Sequence, residues 1–124
     1  AYVKRNKMTF ALLQNTANSF VAPDDLAFKA AAAGAEWSKS FYQILTNQAG
    51  KTAWPISGAT FILMQKVQDK PGQAATSLKF FDWALSKGQA QASALEYIPL
   101  PDALVVKIKE SWKAITDTSG KPVL

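Results

Sequence analysis

The chain has 124 residues, 48% of them hydrophobic, enough for one modest packed domain and too apolar for a disordered segment. It contains no Cys and no His, which excludes disulfides and thiol chemistry and removes the commonest general base and metal ligand. The net charge of +5 is spread along the chain, with only Lys4, Arg5 and Lys7 clustered, as on a solvated surface.

Residues 1–7 read as the last turn of a helix, and Met8–Leu13 as a short strand or extended segment. The chain opens on Ala1 where Met is usual, so a processed chain or a piece of a longer one is expected. No apolar run is long enough for a membrane span, and the first residues lack the apolar core of a signal peptide. Thr16–Val21 is polar and turn-like. Ala22-Pro23-Asp24-Asp25 is a helix start, with carboxylates at the positive end of the dipole. Gly34 is its natural stop. Adjacent residues on a helix point about 100° apart, so Asp24 and Asp25 do not form a catalytic or metal dyad.

From Ala35 to Gly50 extended segments mix with short helical turns, with a possible strand near Phe41–Leu45. Gln48–Lys51 is a turn. Lys51–Met64 then reads KTAWPISGATFILM, whose apolar end lacks alternation. The spacing predicts a central strand over Thr60–Lys66, buried on both faces. Lys70-Pro71-Gly72 opens a helix to Lys87, with Leu78, Phe81, Ala84 and Leu85 at helical spacing and Gly88 as its stop. A weaker helical turn covers Gln89–Leu95, and Pro101-Asp102 starts the last helix. Leu104, Val105, Ile108, Trp112 and Ile115 share one face there, with Lys107, Lys109 and Lys113 largely opposite. Thr116–Leu124 reads as a surface tail. This is an α/β pattern with incomplete sheets and flanking helices, because one strong strand needs more neighbours than the chain supplies.

Chemistry-bearing constellations are few. Nine acidic residues are scattered, so no metal site and no catalytic pair emerges. Asp82, Glu96 and Glu110 are the carboxylates a hydrolase-like reading would use, but their spacing commits none of them to shared acid–base work. Asp82 most simply pairs with Lys79 or Lys87. A basic nucleic-acid-binding module built on Lys4, Arg5 and Lys7 is the alternative function, although the aromatics follow core spacing and do not interleave with the basic residues. Ser57-Gly58-Ala59-Thr60 could present hydroxyls and N–H groups to an anion, yet such loops work best where a helix follows, and here a strand is expected.

Several segments together resemble one family. They are YVKRN at Tyr2–Asn6, AAAAGAEWSKSF at Ala30–Phe41, LTNQAGKTAWPISGATFIL at Leu45–Leu63 and LKFFDWALSKGQAQASALEYIPLPDALV at Leu78–Val105. With ESW and SGKP near the end, they resemble the C-terminal part of the bacterial periplasmic phosphate-binding proteins that feed the high-affinity ABC phosphate transporter. The loop Asn15–Val21 is the least family-like portion.

The resemblance implies a two-lobed type II receptor that clamps inorganic phosphate between its lobes and is recognised by a membrane permease, with no reaction catalysed and no cofactor. It implies a periplasmic protein whose signal peptide and N-terminal portion lie outside this chain. Residues 1–52 would belong to the second lobe, 53–57 would be the inter-lobe crossing, and 58–124 would belong to the first lobe. Trp54, Pro55, Ile56 and Ser57 would form the hinge. The family's phosphate-binding Ser-Gly-Thr loop, its ligand arginine and its proton-accepting acid lie upstream, so no ligand group is expected here. Ser57, Gly58 and Thr60 are the weak candidates, and Arg5 aligns with a helix end.

Overall fold

In the computed structural model, which describes residues 2–124, the elements run in order as α1 (Tyr2–Arg5), β1 (Leu13–Gln14), β2 (Phe20–Val21), α2 (Asp25–Ala33), β3 (Val67–Gln68), α3 (Pro71–Ser86), α4 (Gln89–Ala94), α5 (Asp102–Ser111), a 3-10 turn (Trp112–Ala114) and β4 (Thr116–Asp117). The fold is mixed α/β with two separate two-stranded sheets. Ala1 lies outside the described residues. The chain divides into two compact units, one made of residues up to Phe61 with Ala92–Pro101, the other of Ile62–Gln91 with Asp102–Leu124.

In the first unit, α2 begins as its sequence dictates. Asp24 is the N-cap, and its carboxylate accepts the Ala27 N–H at 2.8 Å while Asp25 occupies the first turn. The pair therefore satisfies and complements the positive end of the helix. Gly34 ends α2 with an ordinary right-handed φ of −75°. Its surroundings are close, since a Cβ there would sit 3.1 Å from the Ala49 carbonyl oxygen and that neighbour would have to give by a few tenths of an ångström. The buried face of α2, Ala27, Ala31 and Ala32, is all alanine, and so lets neighbouring backbone approach closely. Trp37 donates its ring N–H to the Ala32 carbonyl at 2.7 Å. β1 and β2 form an antiparallel hairpin in the register Leu13↔Val21 and Gln14↔Phe20. Lys4 of α1 pairs with Glu96 at 2.7 Å. That hydrogen bond, with the added attraction of opposite charges, raises the lysine pKa and lowers that of the carboxyl.

In the second unit, α3 starts on Pro71 at its first turn, where the missing N–H costs nothing. Its last turn is closed by the Gly88 N–H, which donates to the Trp83 carbonyl at 3.0 Å. Ala74 and Leu78 of α3 are buried, as are Leu104, Val105 and Ile115. Asp82 pairs with Lys109 of α5 at 2.6 Å, and the same ammonium donates to the Ser86 hydroxyl at 2.6 Å. The expected partners Lys79 and Lys87 are displaced because α5 brings Lys109 to the Asp82 and Ser86 positions, one helical turn apart.

Four expected segments differ in the structure. Thr60–Lys66 is not a paired strand: the backbone from Gly58 to Gln65 joins no ladder, and Phe61, Ile62 and Leu63 are exposed. A strand exists through backbone-paired neighbours, and although the Tyr42 ring lies 5.8 Å from that of Phe61, no described backbone pairs with residues 58–65. Phe41–Leu45 likewise joins no ladder, and of Met8–Leu13 only Leu13 does. Thr116–Leu124 is more than a tail. Thr116 and Asp117 pair in parallel with Val67 and Gln68, and Thr116 also bridges to Pro122. The Asp117 carboxylate accepts from the Ser119 hydroxyl at 2.6 Å and from the Ser119 and Lys121 N–H groups at 2.8 and 3.0 Å. These bonds, that of the Ser119 hydroxyl foremost, hold its pKa below the ordinary value.

Candidate functional site

The segment from Trp54 to Thr60 is the one stretch the sequence singles out, and its first half is firmly seated in the first unit. Trp54 donates its N–H to the Ala27 carbonyl of α2 at 3.0 Å, and its ring lies 6.0 Å from that of Phe28. The Pro55 carbonyl accepts the Asn47 N–H at 2.9 Å. Trp54, Pro55 and Ser57 are buried, whereas Ile56 is 65% exposed. The Ser57 hydroxyl donates to the Trp54 carbonyl at 3.2 Å, which closes a tight local loop. A proline suits this position, since it fixes φ and needs no donor partner.

The second half is different. Gly58 and Thr60 are exposed, and a Cβ on Gly58 would meet nothing within 4 Å. After the tetrad no helix begins until Pro71, so the tetrad does not itself open a helix whose first-turn N–H groups it would present. Of the weak ligand candidates, Ser57 thus spends its hydroxyl inward, while Gly58 and Thr60 face solvent without a cradle.

The residue that sequence reasoning missed is Asn15. It is buried, and its Nδ2 donates to the carbonyls of Gly50, Lys51 and Ala53 at 3.1, 2.9 and 3.2 Å. Its Oδ1 accepts the Ala17 and Ser19 N–H groups at 3.0 and 3.1 Å. One side chain thereby folds its own hairpin turn and ties it to the chain entering Trp54. The local half was visible in the string Asn15-Thr16-Ala17-Asn18-Ser19, which has Asx-turn character. The long-range half carried no sequence signal.

The remaining candidates are dispersed. Asp82 and Glu96 are engaged with Lys109 and Lys4 respectively, and Glu110 is exposed. Lys4, Arg5 and Lys7 are all exposed, with Lys4 committed to Glu96. Among the described residues no group of His, Cys, Asp or Glu could hold a metal ion, and no helix is long and apolar enough to cross a membrane. Among the described residues these candidates are brought together nowhere, and the segment Trp54–Ser57 is the one held by buried local contacts.

No protein-family model matches the chain. Curated relatives do. The chain is 42% identical, over 98% of its length, to the phosphate-binding protein PstS of Pasteurella multocida, of which it covers 36%. It is 44% identical over 91% of its length to the PstS protein of Haemophilus influenzae, covering 34% of it. The match to PstS of Xylella fastidiosa strain 9a5c is 44% over 90% of the chain and 31% of the relative. The chain therefore spans about a third of the length of these relatives.

Proposed function

Because the chain belongs by sequence with the phosphate-binding proteins, as a stretch about a third of their length, we propose that it serves the capture of inorganic phosphate and its delivery to an ABC-transporter permease. In this reading it is the closing part of a two-lobed type II receptor of the periplasm, completed by an N-terminal portion of the same protein. Residues 1–52 belong to the second lobe, 53–57 cross between lobes, and 58–124 belong to the first. The observation that carries the reading is identity above 40% sustained across nine-tenths or more of the chain.

The chain's own share is scaffold and hinge. Specific recognition of a phosphate needs several convergent, charge-assisted hydrogen bonds. The sole arginine, Arg5, is exposed on α1, and the hydroxyl of Ser57 is already bound to the Trp54 carbonyl. The gripping groups therefore come from the rest of the receptor, and the role of this chain is binding support without catalysis. Trp54 and Pro55, anchored to α2 and Asn47, form the fixed end of the hinge, while Ile56 and Ser57 lead to the unbonded stretch that follows. Hinge positions of this kind absorb the dihedral change at element ends. The relatives' names lend no support to the nucleic-acid alternative.

Phosphate titration of the intact receptor tests the function, with saturable one-to-one binding expected and its absence overturning the reading. Pro55→Gly in that receptor tests the hinge. Altered closure kinetics are expected, and unaltered affinity and kinetics would remove the hinge role.

A further inference from the structure

We propose that Asn18 is a site of spontaneous deamidation whose rate is set by the side chain of Asn15. The reaction is attack of the Ser19 backbone nitrogen on the Asn18 carboxamide carbon. The N–H proton passes through solvent to the departing nitrogen, ammonia leaves, and water opens the cyclic imide to aspartate or isoaspartate. Water is the only co-reactant, and nothing is oxidised or reduced. Two features favour it in a thermolabile asparagine: a small following residue and an unbonded, solvent-facing carboxamide. Asn6, Asn15 and Asn47 precede Lys7, Thr16 and Gln48, all bulkier than the Ser19 that follows Asn18. The Asn18 side chain is exposed, and its carboxamide has no hydrogen-bond partner among the described residues.

The hairpin turn accounts for both the residue and its guard. Asn18 has a φ of 58°, in the left-handed region that Asn tolerates better than most side chains. Its N–H donates to the Asn15 carbonyl at 3.0 Å, and the Asn15 N–H donates to the Ser19 carbonyl at 2.9 Å. The attacking nitrogen is the one that Asn15 holds, since the Ser19 N–H donates to Asn15 Oδ1 at 3.1 Å. An N–H engaged in this way is harder to deprotonate and is aimed at Asn15 in place of its neighbour's carboxamide. The Asn15 amide is fixed in turn by the Gly50, Lys51 and Ala53 carbonyls, so the protection is built into the packing of the first unit. Isoaspartate would add a carbon to the main chain at Asn18 and break the register that the two turn bonds set.

Peptide mapping by mass spectrometry of the intact receptor, aged in warm and mildly alkaline buffer, tests this, and its readout is independent of phosphate binding. Asn18 should convert ahead of the other asparagines, and about tenfold faster or more when the same protein is held unfolded in urea. Asn15→Ala removes the acceptor and should speed the reaction in the folded protein by about tenfold, the scale of one lost hydrogen bond. Asn15→Asp is also destabilising but keeps an oxygen for the Ser19 N–H, and should leave the rate at or below that of the parent. Equal acceleration by both variants would overturn the proposal, because the rate would then follow stability alone. Equal rates in the folded and urea-unfolded parent, a comparison that stands even where Asn15→Ala fails to fold, would overturn it too. So would another asparagine reacting first.

Discussion

Asn15 donates its side-chain amide to the Ala53 carbonyl at 3.2 Å, joining positions 38 residues apart directly before Trp54. The same amide reaches Gly50 and Lys51, so the chain leading into Trp54 is held by one buried polar side chain. Asn15→Ala strips these carbonyls and the Ala17 and Ser19 N–H groups of their partner. Buried groups left unsatisfied cost about 1–3 kcal/mol each, partly recovered by water. A loss of about 2–3 kcal/mol is expected in urea unfolding, with Asn15→Asp also destabilising, because its carboxylate would face the carbonyls.

The N-cap of α2 gives a second expectation. Asp24→Ala removes the bond to the Ala27 N–H and should cost about 1 kcal/mol, with Asp24→Asn close to neutral. Thermal unfolding of the two variants side by side checks it.

Two glycines of the second unit should respond in opposite directions. A Cβ at Gly88 would lie 2.8 Å from the Ala84 carbonyl oxygen and 3.0 Å from its Cα. Both are backbone atoms of α3 that cannot swing aside, so Gly88→Ala should destabilise by about 1–3 kcal/mol. Gly72, in the first turn of α3, has nothing within 4 Å of such a Cβ, and Gly72→Ala should stabilise by about 0.4–1 kcal/mol through the unfolded chain. Equal signs in chemical denaturation would contradict this packing.

The β4 hook predicts a pH response. Asp117 is held below its ordinary value of 3.8, first by the Ser119 hydroxyl and then by backbone N–H groups. A lowered folded pKa means that the hook's contribution is fully present above the unfolded value and is lost as pH falls through the folded one. Carboxyl NMR titration should place the Asp117 midpoint below 3.8, and Ser119→Ala should move it upward. An unmoved midpoint would show that the hydroxyl does not hold the carboxylate.

How much of this was legible depends on the range of each interaction. Asp24, Pro71 and Gly88 act within a turn of their own helix, and the sequence placed α2, α3 and the start of α5 to within a residue or two, whereas α5 ends at Ser111 and gives way to a 3-10 turn before Ile115. Lys109 took the place of Lys79 and Lys87 beside Asp82 because helix pairing in space is invisible to local spacing. Asn15 was hidden for the same reason, and it lies in the loop least like the family. The run Thr60–Lys66 was expected in a sheet because of its composition, but composition states what a segment can pair with and not whether the partner is present. Thr116–Leu124 misled in the other direction, since Ser, Gly and Pro describe a tight hook as readily as a loose end.

The central claim is that the groups which grip the anion are contributed from outside this chain. Isothermal titration of inorganic phosphate into the 124-residue chain, beside the intact receptor under the same conditions, tests it most directly. Saturable heat is expected from the receptor and none from the chain alone. Micromolar or tighter binding by the isolated chain would contradict the account.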